Sequence, residues 1–118
     1  MTLVWNKCQG DAWCPFMTVN LAHSHFQGME GVYVIWHGGT EPRTVYVGKG
    51  NIAERLRAHR TDANIIKHQA NGGLFVTWAR VPASQQDGVE SYLIKALQPL
   101  GNEVVPTAAP ITVNHPWS

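Results

Sequence analysis

The chain has 118 residues, which suits one domain with its own core and leaves no room for a separate recognition module. Its formal net charge of +1 argues against a strongly basic protein that binds nucleic acid through phosphate neutralisation alone. No apolar run approaches the roughly 20 residues of a membrane-spanning helix, and no secretory signal is visible at the N-terminus. We therefore expect a cytoplasmic domain without a membrane partner.

Residues 1–30 contain bulky apolar side chains without a helical or strand period, and we expect an irregular N-terminal cover. Cys8 and Cys14 lie here, followed by His23 and His25. These four residues form a Cys2His2 set, but their spacing differs from that of a zinc finger. We expect reduced, buried thiols, because cytoplasmic disulfides are rare and free cysteine is commonly buried. The pattern leaves zinc binding open.

Two strands and a helix are predicted next. β-Branched and aromatic residues at positions 31–36 and 44–47 predict an antiparallel hairpin, joined by turn residues at positions 37–42. Residues 48–50 are expected to end the second strand. Asn51, with Glu54 three positions later, predicts the start of a helix that ends near Arg60.

The following segment predicts a short helix, a strand and a longer helix. The short helix, residues 63–70, is expected to stop at the Asn-Gly-Gly sequence that follows it. Residues 74–81 predict a third strand. A capping box formed by Ser84 and Asp87 predicts a helix at residues 85–98. Its buried face is expected to contain Val89, Leu93, Ala96 and Leu97.

These elements predict an α/β domain in which a small three-stranded mixed or antiparallel sheet is flanked by helices. The body spans residues 31–102. Residues 103–118 contain three prolines, so we expect an extended C-terminal tail that packs on the same domain and contributes no central strand.

Two tripeptides and four later residues carry a family resemblance. Gly31, Val32 and Tyr33 form the first tripeptide, and Tyr46, Val47 and Gly48 form the second; Arg55, His59, Glu90 and Asn102 follow in this order. The set resembles the GIY-YIG nuclease family, whose name spells its two tripeptides. The resemblance covers residues 31–102 and implies the fold of that family and a metal-dependent DNA endonuclease activity. Valine replaces isoleucine in both tripeptides.

The resemblance implies roles for the residues nearest the attacking water. Tyr33 matches the general base, and Tyr46 matches the second tyrosine near that water. A phenol with a pKa near ~10 is a weak base at neutral pH unless positive charge favours the phenolate. Arg55 matches the arginine of the family that clamps the phosphate, and its planar fork suits two phosphate oxygens.

The remaining matches concern the metal and the positioning of the site. Glu90 matches the glutamate that holds one Mg²⁺ or Mn²⁺ against the scissile phosphate, a sparse site completed by water and substrate. His59 matches the histidine one turn after the arginine. Asn102 matches a distal asparagine that positions the last helix against the strands.

Basic residues between positions 49 and 68 predict a local DNA-binding face. Gly48 would permit close approach of DNA or a side chain to the backbone. The predicted phosphate contacts are Lys49, Arg57, Arg60, Lys67 and His68. The ordinary alternative for this cluster is a solvated helix surface.

Each matched residue also has an ordinary structural interpretation, such as a strand tyrosine, a surface arginine or a paired helix acid. An alternative of another class is a non-catalytic nucleic-acid-binding module of the same fold, which acts alone or with a protein partner that supplies affinity. The low net charge favours that alternative, and the intact set of Tyr33, Arg55 and Glu90 opposes it. The sequence does not predict the oligomeric state, the DNA preference or the pathway.

Overall fold

The computed structural model describes residues 1–104 and 106–117. Within these residues one antiparallel sheet contains the strands β1 (Cys14–Pro15), β2 (Glu30–His37), β3 (Arg43–Asn51) and β4 (Leu74–Arg80). The strand order is β1, β4, β2, β3, so β3 forms one edge of the sheet. The described helices are α1 (Ile52–His59), α2 (Ala63–Ile66) and α3 (Ala83–Leu97), with 3-10 turns at Gln9–Asp11, Ser24–Phe26 and Lys67–Asn71.

The strand count differs from the expected three, and every described strand pair is antiparallel. The additional strand, β1, comes from the N-terminal cover, which is therefore not wholly irregular. The backbone N–H groups of Asn6 and Phe16 extend the contact by donating to carbonyls of Trp78 and Leu74. β1 has only two residues, so the sequence shows no alternation of apolar and polar side chains that would predict it. Pro15 is tolerated in β1 because this strand lies at the edge of the sheet.

The hairpin of β2 and β3 is longer than predicted. β3 continues through residues 48–50, and its Gly48 and Gly50 pair with Tyr33 and Gly31 of β2. The prediction that these residues end the strand was wrong, because they remain paired with β2 as far as Asn51.

Apolar side chains cover both faces of the sheet. On the first face, Tyr33, Ile35 and Val45 pack with Ile52 and Leu56 of α1, and all five are 0% exposed. On the second face, the described core includes residues of α3 and the tail: Val32, Val34, Val47, Val89, Leu93 and Val113. Ala96 was expected to be buried with α3 but is exposed.

The start of α1 confirms a local prediction, and the start of α3 corrects one. The Asn51 side chain accepts a hydrogen bond of 3.0 Å from the backbone N–H of Glu54. By contrast, α3 begins at Ala83 after an extended Pro82, without a side-chain cap from the described residues. The carboxylate of Asp87 bonds to Lys49 instead of serving a capping box.

The C-terminal tail runs across α3 and reaches the N-terminus. The Ser91 hydroxyl donates a hydrogen bond to the carbonyl of Ala108, and the backbone N–H of Ile111 donates one to the carbonyl of Gly88. The Asn114 amide accepts from the N–H of Leu3 and donates to its carbonyl. Of the predicted tail, Val105 and Ser118 lie outside the described residues. Across the described chain, no helix is long and apolar enough to cross a membrane.

The expectation of reduced thiols was wrong, because Cys8 and Cys14 form a disulfide bond. A hydrogen bond of 2.8 Å from the N–H of Cys8 to the carbonyl of Ala12 folds the chain back, and the two Cα atoms lie 5.2 Å apart. This separation is typical of disulfides. We expected reduced thiols from the predicted cytoplasmic location and from the tendency of free cysteine to be buried. Neither argument predicts how close the two Cα atoms lie.

Reduction of the disulfide should lower the free energy of unfolding by about 2 kcal/mol, because a short loop in the unfolded chain regains its freedom. Urea denaturation with and without dithiothreitol measures this loss. The double variant Cys8→Ser with Cys14→Ser is the control and should be insensitive to the reductant. Equal stability of the wild-type protein in both conditions would contradict the prediction.

Candidate functional site

The site is organised by the packing of Tyr33 over Gly48. These residues lie opposite each other on β2 and β3. A Cβ atom at position 48 would overlap the hydroxyl and the ring of Tyr33. Because Gly48 has no side chain, the tyrosine ring crosses β3 towards the edge of the sheet.

The Tyr33 hydroxyl is held by a histidine of α1. Its Oη lies 2.6 Å from the Nε2 of His59, and both residues are buried, with 0% and 7% of their surfaces exposed. Burial, and to a smaller extent the charge of Arg55, lower the pKa of His59. His59 is therefore neutral at pH 7, and its Nε2 shares one hydrogen bond with the Tyr33 hydroxyl.

The phenol of Tyr33 is also neutral. Burial raises its pKa well above the usual value of about 10. The guanidinium of Arg55 acts against this rise through hydrogen bonding and charge, but burial is the larger effect. Tyr46 and Glu90 raise the pKa further. The positive charge expected to favour a phenolate is thus present but insufficient.

Tyr46 connects this buried pair to the surface. Its ring stacks on Tyr33 with centroids 6.3 Å apart and contacts the His59 ring at 4.5 Å. Tyr46 is half-buried and lines an open cleft of about 750 Å³. Arg55 is exposed on α1. The structure therefore brings Tyr33, Tyr46, Arg55 and His59 into one cluster.

Glu90 approaches the cleft from the second face of the sheet, on α3. Its Oε1 lies 3.3 Å from the Nζ of Lys49, and its side chain is 17% exposed. Lys49 also bonds to Asp87, and this bond is the main cause of the raised pKa of Lys49. Glu90 and Lys49 both line the cleft with Tyr46. Side chains from both faces of the sheet, Tyr46 from the first and Lys49 and Glu90 from the second, therefore line the same cleft at the edge strand β3.

Asn102 covers the open edge of β3. Its side-chain amide accepts a hydrogen bond from the N–H of Val47 and donates one to the Val47 carbonyl, both 2.9 Å long. The preceding N–H groups of Leu100 and Gly101 donate to carbonyls of β3. Asn102 therefore fixes the segment after α3 beside the second tripeptide.

The predicted DNA-binding residues separate into two groups. Arg57 donates to the carbonyl of Leu21, and Arg60 donates to those of Phe16 and Val19, so both fasten the N-terminal cover and neither lines the cleft. Lys67 and His68 do line the cleft. The ring of His68 also stacks on His37 at 5.9 Å.

Asp87 was missed as a member of the site. It shares Lys49 with Glu90 and lines the same cleft. The sequence contained a signal, because Asp87 lies three positions before Glu90 and such residues share a helix face. The predicted capping role for Asp87 obscured it.

The carboxylate of Glu90 is the type of ligand that a sparse divalent cation site uses. In the part of the chain that the structure describes, no three or more His, Cys, Asp or Glu residues are grouped to hold a metal ion. However, Mg²⁺ is commonly held by one or two carboxylates, with water and substrate phosphate as the other ligands. Glu90 and Asp87 offer such carboxylates, and the single ammonium of Lys49 that pairs with both leaves one negative charge.

Gly48→Ala should displace the Tyr33 ring and lower the free energy of unfolding by about 1–3 kcal/mol, the usual cost of overpacking a core. Urea denaturation measures the loss. The control is the same substitution in a Tyr33→Leu background, where the ring and its hydroxyl are absent and Gly48→Ala should cost much less. An equal loss in both backgrounds would show that the tyrosine ring does not require the glycine.

The lowered pKa of His59 should make the protein less stable as the pH falls from neutral. Below a pH of about 6.5 the unfolded state binds a proton that the folded state takes up only at lower pH, so stability decreases between the two pKa values. His59→Gln should reduce this slope in denaturation series at several pH values. Changing the exposed His23 to Gln is the control, and equal slopes for both variants would refute the assignment.

Comparison of this chain with protein-family models, curated proteins and solved structures finds no match. The resemblance to the GIY-YIG family therefore depends on the motif residues named above.

Proposed function

We propose that this protein is a metal-dependent DNA endonuclease that hydrolyses phosphodiester bonds in the cleft at the β3 edge. The observation that carries the proposal is the cluster of Tyr33, Tyr46, His59 and Arg55 around Gly48, which meets Glu90 at the cleft that Tyr46 lines. These residues come from two strands and two helices, so their meeting is a property of the tertiary fold.

Phosphodiester hydrolysis requires an acceptor for the proton of the attacking water. Because the Tyr33 phenol is neutral, we assign this task to Tyr33 and His59 together. As Tyr33 takes a proton from water, its own hydroxyl proton passes along the 2.6 Å hydrogen bond to the Nε2 of His59. Tyr46 lines the cleft beside the buried pair, and the water would enter along its ring to reach the Tyr33 hydroxyl.

The reaction also requires stabilisation of negative charge on the phosphate. Arg55 supplies a permanent charge beside Tyr33, and its forked donors suit two non-bridging oxygens. Glu90, with Asp87, would hold the Mg²⁺ or Mn²⁺ ion. Such an ion, when bound, stabilises the charge of the departing oxygen. Lys49 keeps both carboxylates on the cleft side of α3.

A second candidate is a non-catalytic DNA-binding module of the same fold. Two observations favour it: Tyr33 is fully buried and neutral, and Glu90 is already paired with Lys49. A binding module needs neither a free carboxylate nor a reactive phenol. Both candidates would bind DNA, but only the endonuclease would cut it.

The test is nicking of supercoiled plasmid with Mg²⁺ or Mn²⁺, followed by single-turnover cleavage and a binding titration at one salt concentration. Glu90→Gln should abolish most turnover and leave DNA affinity unchanged or higher, because it removes negative charge near phosphate. Arg55→Ala should weaken both rate and affinity through loss of a contact of about 1.5–3 kcal/mol.

Glu41→Gln is the matched control, because it removes the same charge from the exposed β2–β3 turn. It should cut like the wild-type protein. Equal cleavage by the wild-type protein and Glu90→Gln would refute the assigned mechanism, and DNA binding without any cleavage would favour the binding module.

A further inference from the structure

A second concavity lies at the opposite end of the β2–β3 hairpin from Gly48. It has a volume of about 310 Å³ and is lined by Trp13, Trp36, Pro42, Arg43, Thr44 and Trp117. We call it the tryptophan groove. It shares no described lining residue with the cleft at Glu90.

The indoles of the groove form a fixed wall with one exposed ring. Trp36 is 8% exposed and is supported from behind by Phe75, with ring centroids 6.0 Å apart. Trp13 meets Trp36 edge-on at 5.2 Å, and Trp117 meets it at 5.0 Å. Trp117 is 47% exposed, so a flat ligand can contact it without displacing the core.

The positive charge of Arg43 indicates which class of ligand the groove can bind. Aromatic side chains at steep angles can bind cations such as quaternary ammonium groups. Here, however, the charged residue among the described lining residues is Arg43, which repels a cation and attracts a phosphate. A planar ring next to a phosphate is the chemistry of a nucleotide, and base stacking on aromatic side chains beside cationic groups is typical of single-strand binding.

We infer that the tryptophan groove binds one unpaired nucleotide of DNA, with its base against Trp36 and Trp117 and its phosphate on Arg43. The inference rests on the proposed function and specifies its substrate class. Arg43 and Gly48 are five residues apart on β3, and a β-bulge lies between them, so they are separated by at most about 17 Å. The substrate is therefore DNA with an unpaired nucleotide a short distance from the cleavage position.

The sequence provides internal controls for a binding experiment, because it contains five tryptophans. Titration of the ¹⁵N-labelled protein with a short oligothymidylate should shift the indole N–H signals of Trp13, Trp36 and Trp117. Those of Trp5 and Trp78 should stay in place, since they donate to the carbonyl of Asn114 and to His25 outside the groove. This readout does not depend on cleavage.

Variants then locate the contacts. Trp117→Ala and Arg43→Gln should each weaken oligothymidylate binding roughly tenfold. Arg80→Gln removes the same charge from an exposed position on β4, outside the groove, and should bind like the wild-type protein. Trp117→Phe keeps a ring and should retain most of the affinity, which separates loss of stacking from loss of folding.

Unchanged indole signals of the groove on adding oligothymidylate would overturn the inference. Aromatic-lined grooves also bind proline-rich peptides. Shifts caused by such a peptide but not by the oligonucleotide would therefore overturn it as well. Failure of the proposed function has a different signature. In that case the oligonucleotide shifts the groove signals, whereas plasmid DNA is not cut with Mg²⁺ or Mn²⁺.

Discussion

The missing side chain at Gly48 is the constraint on which the site depends. Any larger residue would collide with the Tyr33 hydroxyl, so the ring could not cross β3 and reach His59. The edge position of β3 matters equally, because a further strand beyond it would separate the groups of the two sheet faces. One backbone position therefore brings a tyrosine of the first face near a carboxylate of the second.

The resulting site is electrically balanced. Burial keeps Tyr33 and His59 uncharged, and the positive charges of Lys49 and Arg55 together equal the negative charges of Asp87 and Glu90. The arginine that completes this balance is exposed on α1. A phosphate that binds this arginine and the lysine would change the charge around both the phenol and the carboxylates. Under the nuclease proposal, substrate binding thus takes part in creating the reactive state.

Local signals explain which parts of the fold could be predicted. The hairpin, the cap at Asn51 and the strand β4 have recognisable patterns of a few neighbouring residues, and the structure contains all three. β1 and the disulfide were missed because they depend on the path of the N-terminal segment along β4, which no short pattern encodes. The bonds of Arg57 and Arg60 to that segment could not be predicted either, because the sequence does not contain the direction of their side chains. The site residues were selected by motif, whereas the neutral state of Tyr33 and His59 follows from tertiary burial and the pairing of Glu90 follows from the position of Lys49.

The amide of Asn102 has a consequence for assembly. An exposed edge strand is a template for pairing with another chain, and proteins usually block it with charges, prolines or bulges. Here a single side chain imitates a neighbouring strand, since it satisfies both backbone groups of Val47. An aspartate would lack the donor and would place negative charge against the Val47 carbonyl. The residue to which the family resemblance gives a positioning role therefore also ends the sheet, and it extends to Val47 the cover that the backbone of Leu100 and Gly101 gives to Thr44 and Val45.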